Sequence, residues 1–332
     1  MLNSYVLGID VSKDTLDAAL LPAEKPTEAN KKEKAKKIKV KNTPDGFREL
    51  IEWLNVRKMD NLHICLEATG TYGDAVARFF HDNNYKTSVV NPLLTRRHAE
   101  SEGLRGKNDP MDAASIARFC REKSPREWVP TTPELSLMKS LLRHLGHLVG
   151  ARKRIVTASK TPGLADIEIL SFSAELDFYD KQISFITSHI KEHVAAHPSI
   201  EKTVKLLETI PGIAELTAWK LIAEIGDRVD ICTPRQIAAY AGLTPEDNQS
   251  GTSVNGKTSL SKKGNSRLRC ALFYPAIAAM RHNPIIKSFS QRLLKKGKTA
   301  KSVVCASMHK LLKIAVAIMK SGEPFNANIS VN

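Results

Sequence analysis

The order of its apolar runs constrains the first 125 residues of this chain more than any other feature. "SYVLGIDVS" reads as a buried strand, and a tight turn at Lys13-Asp14 leads to a second, "TLDAALL". After a lysine-rich insertion, "KKEKAKK", the run "KIKVKN" alternates as a third strand. "TPDGFRELIEWLNV" then switches to helical spacing through Phe47, Leu50, Ile51 and Leu54, with Thr43 as N-cap and Pro44 at the first helical position. Strand "LHICLE", helix "YGDAVARFFHD", strand "KTSVV" and a further helical stretch follow. Three strands in a meander, then helices alternating with strands, predict an α/β layer with helices on a mixed sheet. In such a layer the first and fourth strands lie side by side.

That order resembles the ribonuclease H-like nuclease domains, a likeness of fold that does not by itself carry function. The first domain is expected to cover residues 1–125. From 126 to 200 the character changes. "PELSLMKSLLRHLGHLVGARKRIVTASK" keeps helical periodicity, and "AELDFYDKQISFITSHIKEHVAAH" resumes it after a Pro-Gly turn. Two long helices paired as a hairpin or coiled-coil arm are expected, serving protomer association or internal bracing. The third segment, 201–332, is expected to be mainly helical. In "LLETIPGIAELTAWKLIAEIGD" one helix ends at Pro211-Gly212 and another starts at once, a helix-hairpin-helix pattern that presents backbone N–H groups to a phosphate. A plain turn between two helices would look the same.

Charge is distributed unevenly. The 332 residues carry a net +15, yet the segment from Ser250 onward holds fifteen Lys and Arg and one acid, Glu323. Apolar residues interleave with those cations ("LRCALFYPAIAAMRH", "KLLKIAVAIMK"), so the block should fold and present a polyanion-binding surface, nucleic acid before anything else. The five cysteines (Cys65, Cys120, Cys232, Cys270, Cys305) form no C-x-x-C pair, which argues against a disulfide framework or zinc knuckle and for a reducing cytoplasm. No uninterrupted apolar run reaches membrane-spanning length, and "MLNSYVLGID" is broken by an acid too early for a signal peptide. A cytoplasmic protein without a membrane partner is expected.

Four carboxylates stand out. In "RGKNDPMDAASIARF", Asp109 suits an N-cap, Pro110 the next position, and Asp112 the third, where it opposes the helix dipole. Capping therefore explains both aspartates as far as that stretch goes. Asp10 is different: it sits inside "VLGIDVS", and a buried carboxylate needs either a cation or a partner such as Lys13. Glu67 repeats the pattern at the end of "LHICLE". With the first and fourth strands adjacent, Asp10 and Glu67 would project near each other and repel unless positive charge lies between them. A helix over that part of the sheet would add Asp109 and Asp112, which share a face at about 5–6 Å between Cβ atoms. Four hard oxygen donors suit Mg²⁺, and two ions roughly 3.5–4 Å apart would serve phosphodiester chemistry.

"GLTPEDNQSGTSVNGKTSLSKKGNSRLR" is polar, glycine-rich and basic, with Ser250 and Ser253 at a turn and a phosphate-binding loop running into a helix. By composition Ser250 is an ordinary turn serine. Together, however, "GIDVSK", "LEATGTYG", "KNDPMDA", "IPGIAELTA" and this last stretch closely resemble, in order and spacing, the DEDD-type transposases of bacterial insertion sequences, serine-dependent recombinases guided by a bridge RNA. The resemblance covers nearly the whole chain. It implies a RuvC-like first domain, a coiled-coil connector and a smaller transposase domain. It places the acidic tetrad on Asp10, Glu67, Asp109 and Asp112 and the nucleophile on Ser250. Asn108 stands where threonine is commoner, "PGIA" replaces "PGIG", and the insertion near residues 24–41 lengthens the gap between the first two acids.

What the resemblance implies is Mg²⁺-dependent cutting and rejoining of DNA through a covalent serine–DNA intermediate. The partners would be donor and target double-stranded DNA, a guide RNA and further protomers, as dimer or tetramer, in sites shared between protomers. No histidine flanks Ser250, so its activation falls to the metal cluster or to another group. Nucleic-acid contacts are expected from Lys13, Arg105, Lys107, Gly212, Lys257, Lys262, Lys263, Arg267 and Arg269. Two other readings compete: a hydrolytic junction-resolvase nuclease using the same acids and water, and a non-catalytic nucleic-acid-binding protein.

Overall fold

The computed structural model describes residues 4–24, 34–56, 61–68, 70–102, 109–250 and 254–327, without the side chains of 71, 109–111, 247–250 and 254–258. The chain divides into two compact units, Met1–Pro130 and Thr131–Asn332.

The first unit runs β1 (Ser4–Val11), β2 (Thr15–Pro22), β3 (Lys36–Lys41), α1 (Pro44–Asn55), β4 (Asn61–Glu67), α2 (Asp74–Asp82), β5 (Lys86–Val90), α3 (Pro92–Ser101) and α4 (Asp109–Lys123). Its five strands are ordered β3-β2-β1-β4-β5. β1 pairs antiparallel with β2 and parallel with β4, as the meander reading requires. Thr43 caps α1 through its hydroxyl, and Pro44 opens the helix. The first three residues of "KKEKAKK", 31–33, lie outside the described residues; β3 takes up its last two lysines.

The sheet is covered on both faces, which is why β1 is apolar in both alternating sets of residues. One face, with Leu7, Ile9, Val11, Ile64 and Leu66, packs on Phe47, Leu50 and Leu54 of α1 and Val76, Ala77 and Phe80 of α2. The other, with Val6, Leu21 and Cys65, packs on Ile116, Ala117, Phe119 and Cys120 of α4. Contact on this second face is unusually close. A Cβ built on Gly8 would lie 2.2 Å from the Ala113 carbonyl oxygen and 2.3 Å from the Ala117 nitrogen. Glycine in β1 and alanines in "DAASIA" thus set the distance between α4 and the sheet.

The second unit comprises α5 (Pro133–Ala158), α6 (Asp166–Ala195), α7 (Pro198–Glu208), α8 (Glu215–Ile225), α9 (Arg228–Ile231), α10 (Pro234–Tyr240), β6 (Pro245–Ser250), β7 (Val254–Leu260), α11 (Ser266–Ala271), α12 (Phe273–His282), α13 (Pro284–Lys295) and α14 (Ala300–Ser321). α5 and α6 are antiparallel: His193 meets the Glu134 carbonyl at 2.9 Å, and Arg152 makes a two-pronged bond to Asp180. α6 begins eight residues before the stretch in which periodicity is first legible, because its first turns bury no apolar stripe and Ile167, Ile169 and Leu170 face solvent. Met138, Leu142, Leu145, Ile186, Ile190 and Val194 join the hairpin's base to one core with Trp219, Leu311, Leu312 and Ala315.

α14 is long and apolar enough, by length and composition, to cross a membrane, and half of its most apolar window is buried in this unit. Lys310 and Lys313 interrupt it, so no continuous apolar run announces it in the sequence.

Candidate active site

α4 places its first residues over the sheet face occupied by Val6, Gly8 and Cys65. Side chains alternate along a strand, so Asp10 and Glu67, two residues beyond Gly8 and Cys65, share that face. The β1–β4 ladder pairs Ile9 with Leu66, and one step further sets Asp10 beside Glu67. Asp10 and Glu67 are both half-buried. Asp112, one residue before the Ala113 carbonyl that touches Gly8, is half-buried too. Its charge reaches Glu67: burial pushes the Glu67 carboxyl above its ordinary range, a Thr95 hydrogen bond opposes that, and the Asp112 carboxylate adds to the rise. Three of the four expected acids are therefore brought together. Asp109 opens α4 in the same place, and its side chain lies outside the described residues.

Two further residues belong to this neighbourhood. Asp17 of β2 stands directly opposite Asp10 and is 8% exposed. Opposed carboxylates destabilise a sheet unless balanced, and Lys39, opposite Asp17 on β3, meets it at 3.1 Å. Charges thus run across four strands in the order Lys39, Asp17, Asp10, Glu67, and the ion pair neutralises Asp17. Thr95 of α3, 2% exposed, donates to Glu67 Oε1 at 2.5 Å. Asp17 carries the same mark as Asp10, an acid in an apolar strand, and was legible in "TLDAALL". Thr95 was not, since only packing brings α3 to the end of β4.

Below Thr95, α3 is clasped to α4. His98 meets Glu122 at 3.0 Å, Arg118 donates to Glu102 at 3.1 Å, and the His98 ring stands edge-on to Phe119. Ligand atoms of His98, Glu102 and Glu122 lie within 4.8 Å of one another, close enough to hold a metal ion. The Arg118 guanidinium already occupies Glu102, so electrostatics favours the clasp, which also keeps Thr95 at Glu67.

In the second unit Ser250 ends β6, and β6 pairs antiparallel with β7, setting Ser250 opposite Val254. This hairpin is not foreseeable from "PEDNQS" and "VNGKTSL", which lack the apolar alternation of a half-buried strand. The side chains of Ser250 and Lys257, with Ser253, Arg105 and Lys107 altogether, lie outside the described residues.

The loop after β7 is built firmly. Asn265 caps α11, accepting from Leu268 N at 3.0 Å. Its amide donates to Glu224 at 2.7 Å and to the Tyr240 hydroxyl at 3.0 Å. Glu224, 6% exposed, also faces Lys139 of α5 at 3.7 Å. Arg269 donates to the carbonyls of Ala241 and Lys262, and Lys263 pairs with Glu246. Lys13, Lys262 and Arg267 are exposed. Gly212 has φ +104°, and a Cβ there would lie 2.8 Å from Ala279 N and 2.9 Å from the Pro275 carbonyl. The α7–α8 turn therefore needs glycine twice over, for its backbone angle and for its seat against α12.

Comparison with known proteins shows the family of the chain. Residues 7–160 match a family model for DEDD transposases of the IS110 type, and residues 204–291 match the Transposase IS116/IS110/IS902 family. The pilin gene-inverting protein of Moraxella bovis is 31% identical over 333 residues, covering 99% of both chains, and that of Moraxella lacunata matches equally. The transposase for insertion sequence element IS1328 of Yersinia enterocolitica is 25% identical over 287 residues, covering 76% of this chain and 82% of its own. DEDD-type transposase domains usually need a divalent metal ion, which suits acids gathered on one sheet face. By these matches the chain belongs to the IS116/IS110/IS902 family of DEDD-type transposases, enzymes that cut and transfer DNA.

Proposed function

We propose that this chain is the recombinase of an insertion sequence, cutting and rejoining DNA by metal-dependent phosphoryl transfer through a covalent Ser250–DNA intermediate. The observation that carries the reading is the convergence of Asp10, Glu67 and Asp112 on one sheet face, with Asp17 neutralised separately by Lys39. The strand order supports an RNase H-like, RuvC-like identity for residues 1–125. The antiparallel α5–α6 pair, with Phe178 and Phe185 exposed, supports a coiled-coil connector at 126–200 that joins protomers into a dimer or tetramer. Residues 201–332 form the transposase domain.

The donor set fits a hard divalent ion. Oxygen ligands of like charge raise one another's proton affinity, as Asp112 does to Glu67, and a cation relieves that repulsion. When bound at Asp10, Glu67, Asp109 and Asp112, Mg²⁺, two ions per site, supplies positive charge where the transferred phosphoryl group carries negative charge. Thr95 fixes the Glu67 carboxylate, and Lys39 keeps Asp17 out of the ligand set. The Ser250 hydroxyl forms an oxygen–phosphorus bond as a deoxyribose oxygen–phosphorus bond breaks. The serine proton is lost to solvent and the leaving oxygen gains one. One phosphodiester replaces another, so rejoining needs no outside energy and water is not consumed.

Lys13, Arg105, Lys107, Lys257, Lys262, Lys263, Arg267, Arg269 and the Gly212 turn hold phosphates without reading bases. Base choice falls to a guide RNA encoded by the element, on the strength of the resemblance to the guided recombinases. Such an enzyme works on the chromosome in the bacterial cytoplasm. The full-length likeness to pilin gene-inverting proteins favours a second outcome of the same chemistry, inversion of a segment rather than its movement. The hydrolytic resolvase reading is not favoured by the family matches.

Changing Asp10 to Asn, Glu67 to Gln or Asp112 to Asn should each lower divalent-ion-dependent strand cleavage by ~10²-fold or more, with DNA binding kept. Near-normal cleavage in any one of the three would remove that residue from the metal site.

A further inference from the structure

Leu272, buried, ends α11 and starts α12; the next two residues are aromatic and face water. Tyr274 is 78% exposed and Phe273 42%, with ring centroids 5.3 Å apart and planes near perpendicular. The fold does not need them there, because α12 buries Ala276 and Ala279 instead. Exposed apolar rings at adjacent positions mark contact with something else.

Their neighbours in sequence point to an anionic partner. The loop carrying Lys262, Arg267 and Lys263, the last paired with Glu246, precedes them, Arg281 and His282 end the same helix, and the sequence has no acid between Ser250 and Glu323. The α7–α8 turn lies alongside, since a Cβ on Gly212 would sit 2.9 Å from the Pro275 carbonyl, one residue after Tyr274. A bare aromatic pair flanked in sequence by cations suits a partner with anionic links and flat apolar faces. Nucleotides have both, but in a duplex those faces are covered by neighbouring bases.

We propose that Phe273 and Tyr274 form a stacking platform for unpaired nucleobases, whose phosphates run over residues 261–269. The proposal rests on the reading that the second unit contacts nucleic acid, and adds that part of that nucleic acid is single-stranded. A looped RNA and a displaced DNA strand offer the same base faces, so stacking alone admits either.

The test uses the full-length protein with three fluorescent probes of one sequence: single-stranded RNA, single-stranded DNA and duplex DNA, at one salt concentration. The double change Phe273→Ala and Tyr274→Ala should weaken single-strand binding by about tenfold to hundredfold, the loss of one or two stacked bases. Duplex affinity should stay within about twofold, given only phosphate contacts there. Tyr274→Phe keeps the ring and should bind as wild type does. Single strands bearing 5-iodouracil should crosslink at Phe273 or Tyr274, and whichever strand loses affinity names the natural ligand. Unchanged single-strand binding, or an equal fall for duplex, would overturn the platform alone. A change in oligomer mass in the double variant would also overturn it, assigning the rings to a second copy of the chain. Wild-type protein that binds no probe would overturn the nucleic-acid reading as well.

Discussion

Glu67 shows how function is bought with stability at a single residue. Its folded-state carboxyl holds a proton to higher pH than an unfolded glutamate does, first through burial and then through Asp112. Between the ordinary glutamate range and that raised value the native state binds more protons than the unfolded state, so unfolding free energy falls as pH rises. Above both values the deficit is constant. In metal-free protein, Glu67→Gln should therefore raise the urea midpoint at neutral pH and lose that advantage below the ordinary carboxylate range. A lower midpoint at neutral pH would mean that the fold already compensates the carboxylate. Asp10 and Glu67 were legible because an acid inside an apolar strand needs a reason. Asp17 offered the same reason, and its answer, Lys39, depended on a strand register that one sequence does not reveal.

At the scale of elements, Gly8 is the residue on which the acidic site's geometry turns. α4 carries Asp109 and Asp112, and its backbone rests on β1 where any side chain at position 8 would overlap Ala113 and Ala117. Gly8→Ala should cost ~2–3 kcal/mol in denaturant unfolding and reduce cleavage, since α4 must lift to admit the methyl group. Stability within ~0.5 kcal/mol of wild type would show that α4 is not held by this contact. The meander followed by helix–strand alternation was readable because each run has one dominant period. The β6–β7 hairpin was not, because polar strands have no apolar alternation to read, and the first turns of α6 were hidden for a similar reason.

The whole molecule separates chemistry from charge. The acids belong to the first unit, while the segment from Ser250 onward carries nearly all the net positive charge. That asymmetry was plain in the sequence, and the structure adds how the basic loop is held: Asn265 bonds Glu224 and Tyr240, and Glu224 faces Lys139 on the hairpin. Phosphate-binding groups on a fixed loop lose less entropy on binding than groups on a free one. The proposed nucleophile, Ser250, sits at the turn end of the β6–β7 hairpin, and the opposite end, where Pro245 pairs with Leu260, adjoins that loop.

The most direct test follows the covalent bond itself. Wild-type protein, Ser250→Ala and Asp10→Asn would be incubated with labelled DNA bearing the element's ends and a divalent ion, then denatured in detergent. Wild type should give a protein-linked DNA band, and nuclease digestion with peptide mass spectrometry should place a nucleotide on Ser250. Both variants should lose the band while still binding DNA. An undiminished band in Ser250→Ala would contradict the account and move the search to Ser253, and cut DNA with free ends and no linked protein would replace transfer with hydrolysis.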